Sequence, residues 1–396
     1  MIGFDEACRR VVAIAAPLGA ERIALDLAWN RVLAAPVIAR RSAPETAVSA
    51  MDGYAVREAD LAAGPTRLRL VGTSFAGSPH GGPQLEAGAC VRIFTGAPMP
   101  AGADRVVVQE VVQREGEAVM FAERPSPARH VRAAGSDFAA GEALLKTGTR
   151  LTPQALVAVA AADLDTVEVF VRPRVAVLST GDELVEPGQA ANPPGTIPES
   201  VSFGVAALAR AWGGEVVCRQ RLRDDLPSLV RAAGLALDTA DVIVVTGGAS
   251  VGERDFSKAM FQELGLRLEF EKVAIKPGKP VWVGRVGARI VVGLPGNPSA
   301  AMVTARLFLA PILAGLGGAR PEEALAWRAA ALASPLGACG DRDCFHRGRS
   351  TFDGVRSVGN QDSSAQKDLA MADLLIRGRP AARPLAAGEL VEVLVF

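Results

Sequence analysis

The sequence predicts a multidomain α/β protein built around a doubly wound α/β domain over residues 173–318. Three observations carry this. From Arg174 onward, short β-branched apolar runs alternate with helical patterns, the signature of a parallel sheet covered on both faces. Residues 41 to about 150 are instead rich in glycine, proline and short alternating runs, as expected of β hairpins and turns. The final residues return to short strands and close on E-L-V-E-V-L-V-F. The predicted division is therefore an N-terminal region (1–172, helical pieces with a β-rich lobe inserted at about 45–145), the α/β domain (173–318) and a small β domain (325–396).

Taken in order, the apolar spacing of residues 5–15 predicts an amphipathic helix. Leu68–Val71 and Arg105–Val112 read as strands of the β-rich lobe. At Thr152 a cap residue precedes proline at the first helical position, predicting a helix to Ala162. Strands follow at Arg174–Leu178, Glu215–Arg219 and Asp241–Val245, with helices at Glu199–Trp212, Asp225–Thr239 and near Asp255–Leu264. Strands around Val281–Val283 and Arg289–Val292, then a helix from Pro298, complete the domain. In such a sheet the ligand lies at the carboxyl ends of the strands.

Composition narrows the function. The 396 residues hold 43 Lys plus Arg and 43 Asp plus Glu, so no global field favours nucleic acid or an anionic membrane, and anion recognition must be local. No window holds the roughly 18–20 uninterrupted apolar residues of a membrane span, and the opening M-I-G-F-D-E-A-C carries acids where a signal peptide carries bases. A cytoplasmic protein is expected. Five scattered cysteines do not form the framework of a small secreted domain. Cys339, Cys344 and His346 are close enough in sequence to suggest a metal clip, but no fourth ligand has suitable spacing, so a strand with a buried thiol is expected. None of the three histidines adjoins a serine or cysteine signature, which argues against triad hydrolysis.

Three turns suggest an oxyanion cradle: T-G-G-A-S-V-G-E-R-D from Thr246, K-P-G-K-P from Lys276 and G-L-P-G-N-P-S ending at Ser299. Gly247 and Gly248 lack the Cβ atoms that would keep a ligand from the backbone. Lys276 and Lys279 place two ammonium groups on a stiffened turn, suited to a tetrahedral oxyanion. Asn297, Pro298 and Ser299 would form the first turn of a helix, where free N–H groups and the positive dipole end meet. In S-T-G-D-E-L, Asp182 and Glu183 stand at a strand mouth and could hold Mg2+ bridging phosphates, or only cap the turn. Asp255 has the same two readings, and Asp224 and Asp225 are expected to cap the next helix. S-A-M-D-G-Y-A-V (Ser49–Val56) holds Asp52 and the chain's one tyrosine.

Together with R-I-F-T-G-A-P-M-P (Arg92–Pro100), these motifs in this order resemble the molybdopterin molybdenumtransferase (MoeA, or gephyrin E-domain) family, from the N-terminus to about residue 316 and more weakly beyond. The resemblance implies a molybdopterin-binding-like α/β domain and a Mg2+-dependent insertion of molybdate into adenylyl-molybdopterin with release of AMP, on a homodimer whose clefts use both subunits. It assigns catalysis to Asp52, Asp255, Lys276 and Lys279, and metal binding to Asp182, Glu183 and Asp255. Substrate contacts are assigned to Thr95, Asp137, Ser179, Gly181, Glu199, Asp225, Gly247, Gly248, Ser250, Pro295, Gly296, Pro298, Ser299 and Arg347. An adenylyltransferase or molybdoenzymes are implied as further partners. Departures from the family pattern stand at Val48, Ala133, Ala134, Val201, Cys344 (a thiol where an acid is usual) and Asp362. They motivate an alternative, a divergent non-catalytic paralogue that binds molybdopterin or a molybdoenzyme as carrier or scaffold.

Overall fold

The computed structural model describes residues 1–62, 64–122, 126–190, 194–247 and 256–396. Among them, three six-stranded sheets organise the chain. The sheet of the α/β region runs in the order Glu215–Leu222, Arg174–Thr180, Val242–Thr246, Arg289–Leu294, Trp282–Val286, Arg267–Glu271. The first four strands are parallel, and Trp282–Val286 alone runs antiparallel to both its neighbours, which corrects the expectation of an all-parallel sheet. Only Gly287 and Ala288 separate Trp282–Val286 from Arg289–Leu294. A parallel crossover needs a dozen or more residues, so this connection can only be a hairpin.

All five residues of Val242–Thr246 are buried because the sheet is covered on both faces. Val175, Val177, Val242 and Val244 join one core with Val205, Leu208 and Phe308, from the helices Val201–Ala211 and Pro298–Leu316. Ala176, Leu178, Ile243 and Val245 join the other with Leu229, Ala233, Met260 and Phe261. Strand alternation thus sends successive side chains into two different cores. At the amino end, Asp241 accepts from the Arg174 backbone N–H at 2.9 Å and from Arg289 Nη1 at 2.5 Å, tying three strands together.

The helix Phe4–Ile14 packs into the first of these cores. Phe4 meets Phe345 of the C-terminal region with ring centroids 4.8 Å apart. The inserted lobe holds the sheet Arg105–Val108, Gly53–Val56, Ala89–Ile93, Thr66–Ser74, Ala118–Phe121, Val112–Glu115. The predicted Thr152 cap is present: its hydroxyl accepts from Ala155 N at 3.2 Å, and Pro153 opens the helix Pro153–Ala161.

The helix Pro298–Leu316 is long and apolar enough to cross a membrane by length and composition, yet 94% of that window is buried inside the protein. Arg306 interrupts its apolar run. That guanidinium donates to the carbonyls of Val395 and Ala324, each at 2.7 Å, and stacks over Trp212; burial pushes its pKa down to about 10.

The C-terminal sheet runs Ile275–Lys276, Asp343–Thr351, Leu374–Gly378, Leu390–Val395, Arg328–Ala331, with Gly354–Ser357 pairing on Asp343–Thr351 as its sixth strand. Its first strand comes from the α/β region: Ile275 and Lys276 pair in parallel with Asp343 and Cys344. The lysine turn is therefore anchored by the C-terminal lobe.

Candidate functional site

Two adjoining clefts, of about 600 and 590 Å³, open at the carboxyl ends of the central strands and share Pro280, Pro295 and Asn297 in their walls. The first is lined by Gly181, Glu183, Glu199, Asp224, Gly247, Gly296 and Pro298 among others. The second is lined by Lys276, Lys279, Arg342, Asn360, Gln361 and Asp362 among others. The structure thus brings Gly181, Glu183, Glu199, Gly247, Pro295, Gly296 and Pro298 to one cleft and Lys276 and Lys279 to its neighbour. Gly248, Ser250 and Asp255 lie outside the described residues.

Local geometry explains two glycines. Gly247 has φ +91°, and a Cβ there would lie 2.3 Å from the Thr180 carbonyl. Gly278, between the two lysines, has φ +103°, and its Cβ would strike Thr304 Cγ2 at 2.2 Å. Both turns therefore require glycine.

Beneath the first cleft, Glu199 is buried at the entry to the helix Val201–Ala211 and accepts from Ser202 N at 2.8 Å, from the Ser202 hydroxyl and from Ser179 Oγ at 3.2 Å. Thr246 Oγ1 donates to Ser179 Oγ at 3.0 Å, and Arg219 Nη1 stands 3.5 Å from the Glu199 carboxylate. Ser179 is thus the link between two strand ends. Beside it, Thr180 Oγ1 is buried at the cleft wall with no hydrogen-bond partner among the described residues. The sequence reading missed Thr180, although the motif S-T-G-D-E-L contains it.

Several assigned residues do other work. Ser299 is buried: its hydroxyl donates to the Ala365 carbonyl at 2.7 Å, and its backbone N–H to the Ser363 carbonyl at 3.0 Å. Ala300 N also donates to Ser363 O, at 3.3 Å. The predicted free N–H groups of this helix start are consequently occupied by the C-terminal lobe, a correction of the anion-cradle reading there. Asp225 caps the helix Leu226–Thr239 through Ser228 N at 3.1 Å, and the Ser228 hydroxyl and N–H hold its carboxyl below the usual range. Asp224 takes the cleft position instead. Asp182 is exposed and accepts from Asp224 N at 3.2 Å, bracing the turn rather than lining either cleft.

Arg347 is fully buried and lines neither cleft. Its Nη2 donates to the Asn360 carbonyl at 2.8 Å, and its backbone N–H to Gln361 Oε1 at 2.9 Å, so it supports the loop that forms the cleft floor. Burial pushes its pKa below the ordinary arginine value. Asp362 sits on that loop, with its carboxylate accepting from Ser364 N at 3.2 Å. The Ser364 backbone N–H and hydroxyl hold it below the usual carboxylate range.

The N-terminal lobe presents a separate unit. Asp52 Oδ1 accepts from Thr95 N at 2.7 Å and from Thr95 Oγ1 at 2.8 Å, and these two donors, the backbone one first, lower the carboxyl pKa. Neither residue lines the two clefts, nor does the exposed Asp137, whose N–H donates to Ala43 O at 3.0 Å.

Two acids in the lining of the first cleft fit Mg2+ if waters or a ligand's own oxygens complete its shell. Glu183 and Asp224 offer hard oxygen donors in one wall, with no cluster of three carboxylates among the described residues. One or two carboxylates plus phosphates and waters is the usual magnesium arrangement.

Comparison with known proteins agrees with this architecture. Residues 2–162 match the family model described as MoeA N-terminal region (domain I and II), and residues 176–315 match the probable molybdopterin binding domain. The chain is 38% identical over 320 residues to the molybdopterin molybdenumtransferase of Haemophilus influenzae, covering 80% of this chain and 78% of the relative. With the enzyme of the same name from Synechococcus elongatus it shares 34% over 391 residues, 95% and 94% of the two chains. The crystal structure of a molybdopterin biosynthesis MoeA protein from Pyrococcus horikosii superposes with a TM-score of 0.83 at 29% identity, covering 100% of this chain and 99% of that one. The relatives are named as enzymes, which does not favour the carrier alternative. A multidomain α/β chain with adjoining clefts at the strand ends, matched along most of its length by these relatives, belongs to the molybdopterin molybdenumtransferase family of molybdenum cofactor biosynthesis.

Proposed function

We propose that this chain inserts molybdate into adenylyl-molybdopterin, with release of AMP, in a Mg2+-dependent reaction. The observation that carries the reading is the pair of contiguous clefts: one lined by carboxylates and the close-packed Gly247 turn, the other by Lys276, Lys279 and Arg342, with Pro280, Pro295 and Asn297 common to both. Molybdate is a tetrahedral dianion, and two ammonium groups on one turn suit it. The adjoining cleft suits the phosphate-bearing substrate, whose backbone contacts would come from Gly181, Gly247 and Gly296 and whose hydroxyl contact from Thr180.

In this reading Lys276 and Lys279 hold the oxyanion against the phosphate and stabilise charge developing there, while Glu199 and Ser179 keep the two strand ends in register beneath it. Mg2+, when bound, polarises the phosphoryl oxygens; Glu183 and Asp224 would hold it, with Asp182 bracing their turn. Asp255, Gly248 and Ser250 retain their assigned roles as proposals. Asp52, Thr95 and Asp137 would reach the clefts of a second copy of the chain, making a homodimer the working assembly. The proposed domain division is 1–172, 173–318 and 325–396, and the proposed compartment is the cytoplasm.

The test is AMP release by purified protein supplied with Mg2+, molybdate and adenylyl-molybdopterin. Turnover that falls sharply in Lys279→Ala supports the assignment. Equal AMP release by wild type and Lys279→Ala would sink it.

A further inference from the structure

The sulfur atoms of Cys339 and Cys344 and an imidazole nitrogen of His346 converge on one point, with all three ligand atoms within 4.8 Å of one another. Cys344 and His346 are two residues apart on the strand Asp343–Thr351, so strand alternation puts them on one face. Cys339 reaches that face from the preceding loop, where its N–H donates to the Ala382 carbonyl at 3.2 Å, and its Sγ lies 3.9 Å from His346 Nε2. Both cysteines are buried.

The room for Cys339 comes from Gly378. This residue pairs directly with Cys344 on the neighbouring strand, and a Cβ built on it would lie 2.2 Å from Cys339 Sγ and 3.7 Å from His346 Nε2. Any side chain there would expel the Cys339 sulfur. A cavity of about 170 Å³ adjoins the group, lined by Cys344, His346, Asp341, Arg342 and Lys276 among others.

We infer that Cys339, Cys344 and His346 form a site for a thiophilic cation, Zn2+, with three protein ligands and a fourth position open to the adjoining cavity. Tetrahedral zinc with Zn–S near 2.3 Å and Zn–N near 2.0–2.1 Å spaces its ligands roughly 3.5–3.8 Å apart, so the observed group, within 4.8 Å, needs to contract by about 1.3 Å at most. The donor set selects the ion: two thiolates and an imidazole are soft ligands that Mg2+ does not favour. Two thiolates also neutralise the dication, so the bound ion leaves the positive field of Lys276 and Arg342 in place. Lys276 favours an anionic fourth ligand, hydroxide or a small oxyanion, while Asp341, 3.6 Å from Arg342 Nε, offsets part of the Arg342 charge. The site is separate from the proposed Mg2+ acids and stands whether or not the transferase reading does.

The experiment uses the full chain, reduced and stripped of metal, titrated with Zn2+ against a chromophoric chelator and separately with Co2+. Expected are one Zn2+ per chain, unaffected by excess Mg2+, and a Co2+ form with thiolate-to-cobalt charge-transfer absorption and the intense visible bands of a four-coordinate ion. Cys344→Ser and Gly378→Ala should each weaken Zn2+ binding at least about 100-fold, the second while keeping every ligand; Cys218→Ser should bind as wild type. A Co2+ form lacking charge transfer from sulfur would overturn the inference, and this reading needs no variant to fold. Unchanged Zn2+ affinity in Cys344→Ser, or no Zn2+ uptake by the fully reduced chain, would overturn it equally.

Discussion

Ser299 donates its backbone N–H to the Ser363 carbonyl across 3.0 Å, and its side-chain hydroxyl reaches the Ala365 carbonyl at 2.7 Å. The C-terminal lobe thereby caps the helix that opens at the cleft wall, and Asn297 Nδ2 adds a bond to Ser363 Oγ at 2.9 Å. The cleft walls are assembled from residues more than sixty positions apart, and the lobe the motifs describe least well supplies part of them.

Ser299→Ala should cost about 1 kcal/mol of stability, because the part-buried bond from its hydroxyl to the Ala365 carbonyl is lost while the backbone cap remains. Urea unfolding midpoints check this. With Ala365 loosened beside Ser364 and Gln366 in the cleft wall, KM for the nucleotide-bearing substrate should rise more than kcat falls.

Lys279→Ala should lower AMP release at least about 100-fold, the scale of losing a charge aimed at a developing oxyanion. The Lys279 side chain is exposed, while its backbone carbonyl accepts from Val273 N at 3.0 Å and survives the substitution. The unfolding midpoint should therefore move by no more than about 0.5 kcal/mol. Lys279→Arg, which keeps the charge, should retain more turnover than alanine in the same AMP assay.

Thr95→Val should raise the Asp52 pKa toward the ordinary carboxylate value, since both donors to Asp52 Oδ1 come from Thr95 and the hydroxyl is lost. Carboxyl carbon chemical shifts followed against pH measure this. The sign follows from the lowered folded value: the wild-type carboxylate stays ionised across neutral pH, so an acid limb of activity between pH 5 and 8 should not arise from Asp52.

Asp241→Asn should destabilise the chain by about 1–3 kcal/mol near neutral pH, discounted for the partial exposure of Arg174 and Arg289. Burial alone would push the Asp241 pKa up, but bonds from Arg174 and the charges of Arg174 and Arg289 outweigh it and leave the pKa lowered. A lowered folded pKa contributes stability that is present above the unfolded value of about 3.9 and is lost as pH falls through the folded value. The gap between wild type and variant should consequently be full at pH 6 and close as pH drops below about 4, in denaturation curves collected across that range.

Much of this protein was legible locally. The Thr152–Pro153 helix start and the buried β-branched strands depend on neighbours a few residues away, so composition and spacing suffice, whereas the atoms that exclude a side chain at Gly247 and Gly278, on Thr180 and Thr304, come from distant segments. The hairpin between Trp282–Val286 and Arg289–Leu294 is written in the length of its connection, two residues being too few for a parallel crossover.

By itself the sequence determined the α/β class, the position of the clefts at the strand ends and the two lysines that line one of them. Tertiary structure decided what meets them. Ser363 on the Ser299 N–H, Arg347 beneath Asn360 and Gly378 opposite Cys344 are contacts between segments far apart in the chain, and no local rule encodes which backbone carbonyl will reach a helix start or which missing side chain will make room for a sulfur. Strand pairing fixes these choices, because register sets which face each residue takes and what stands across from it.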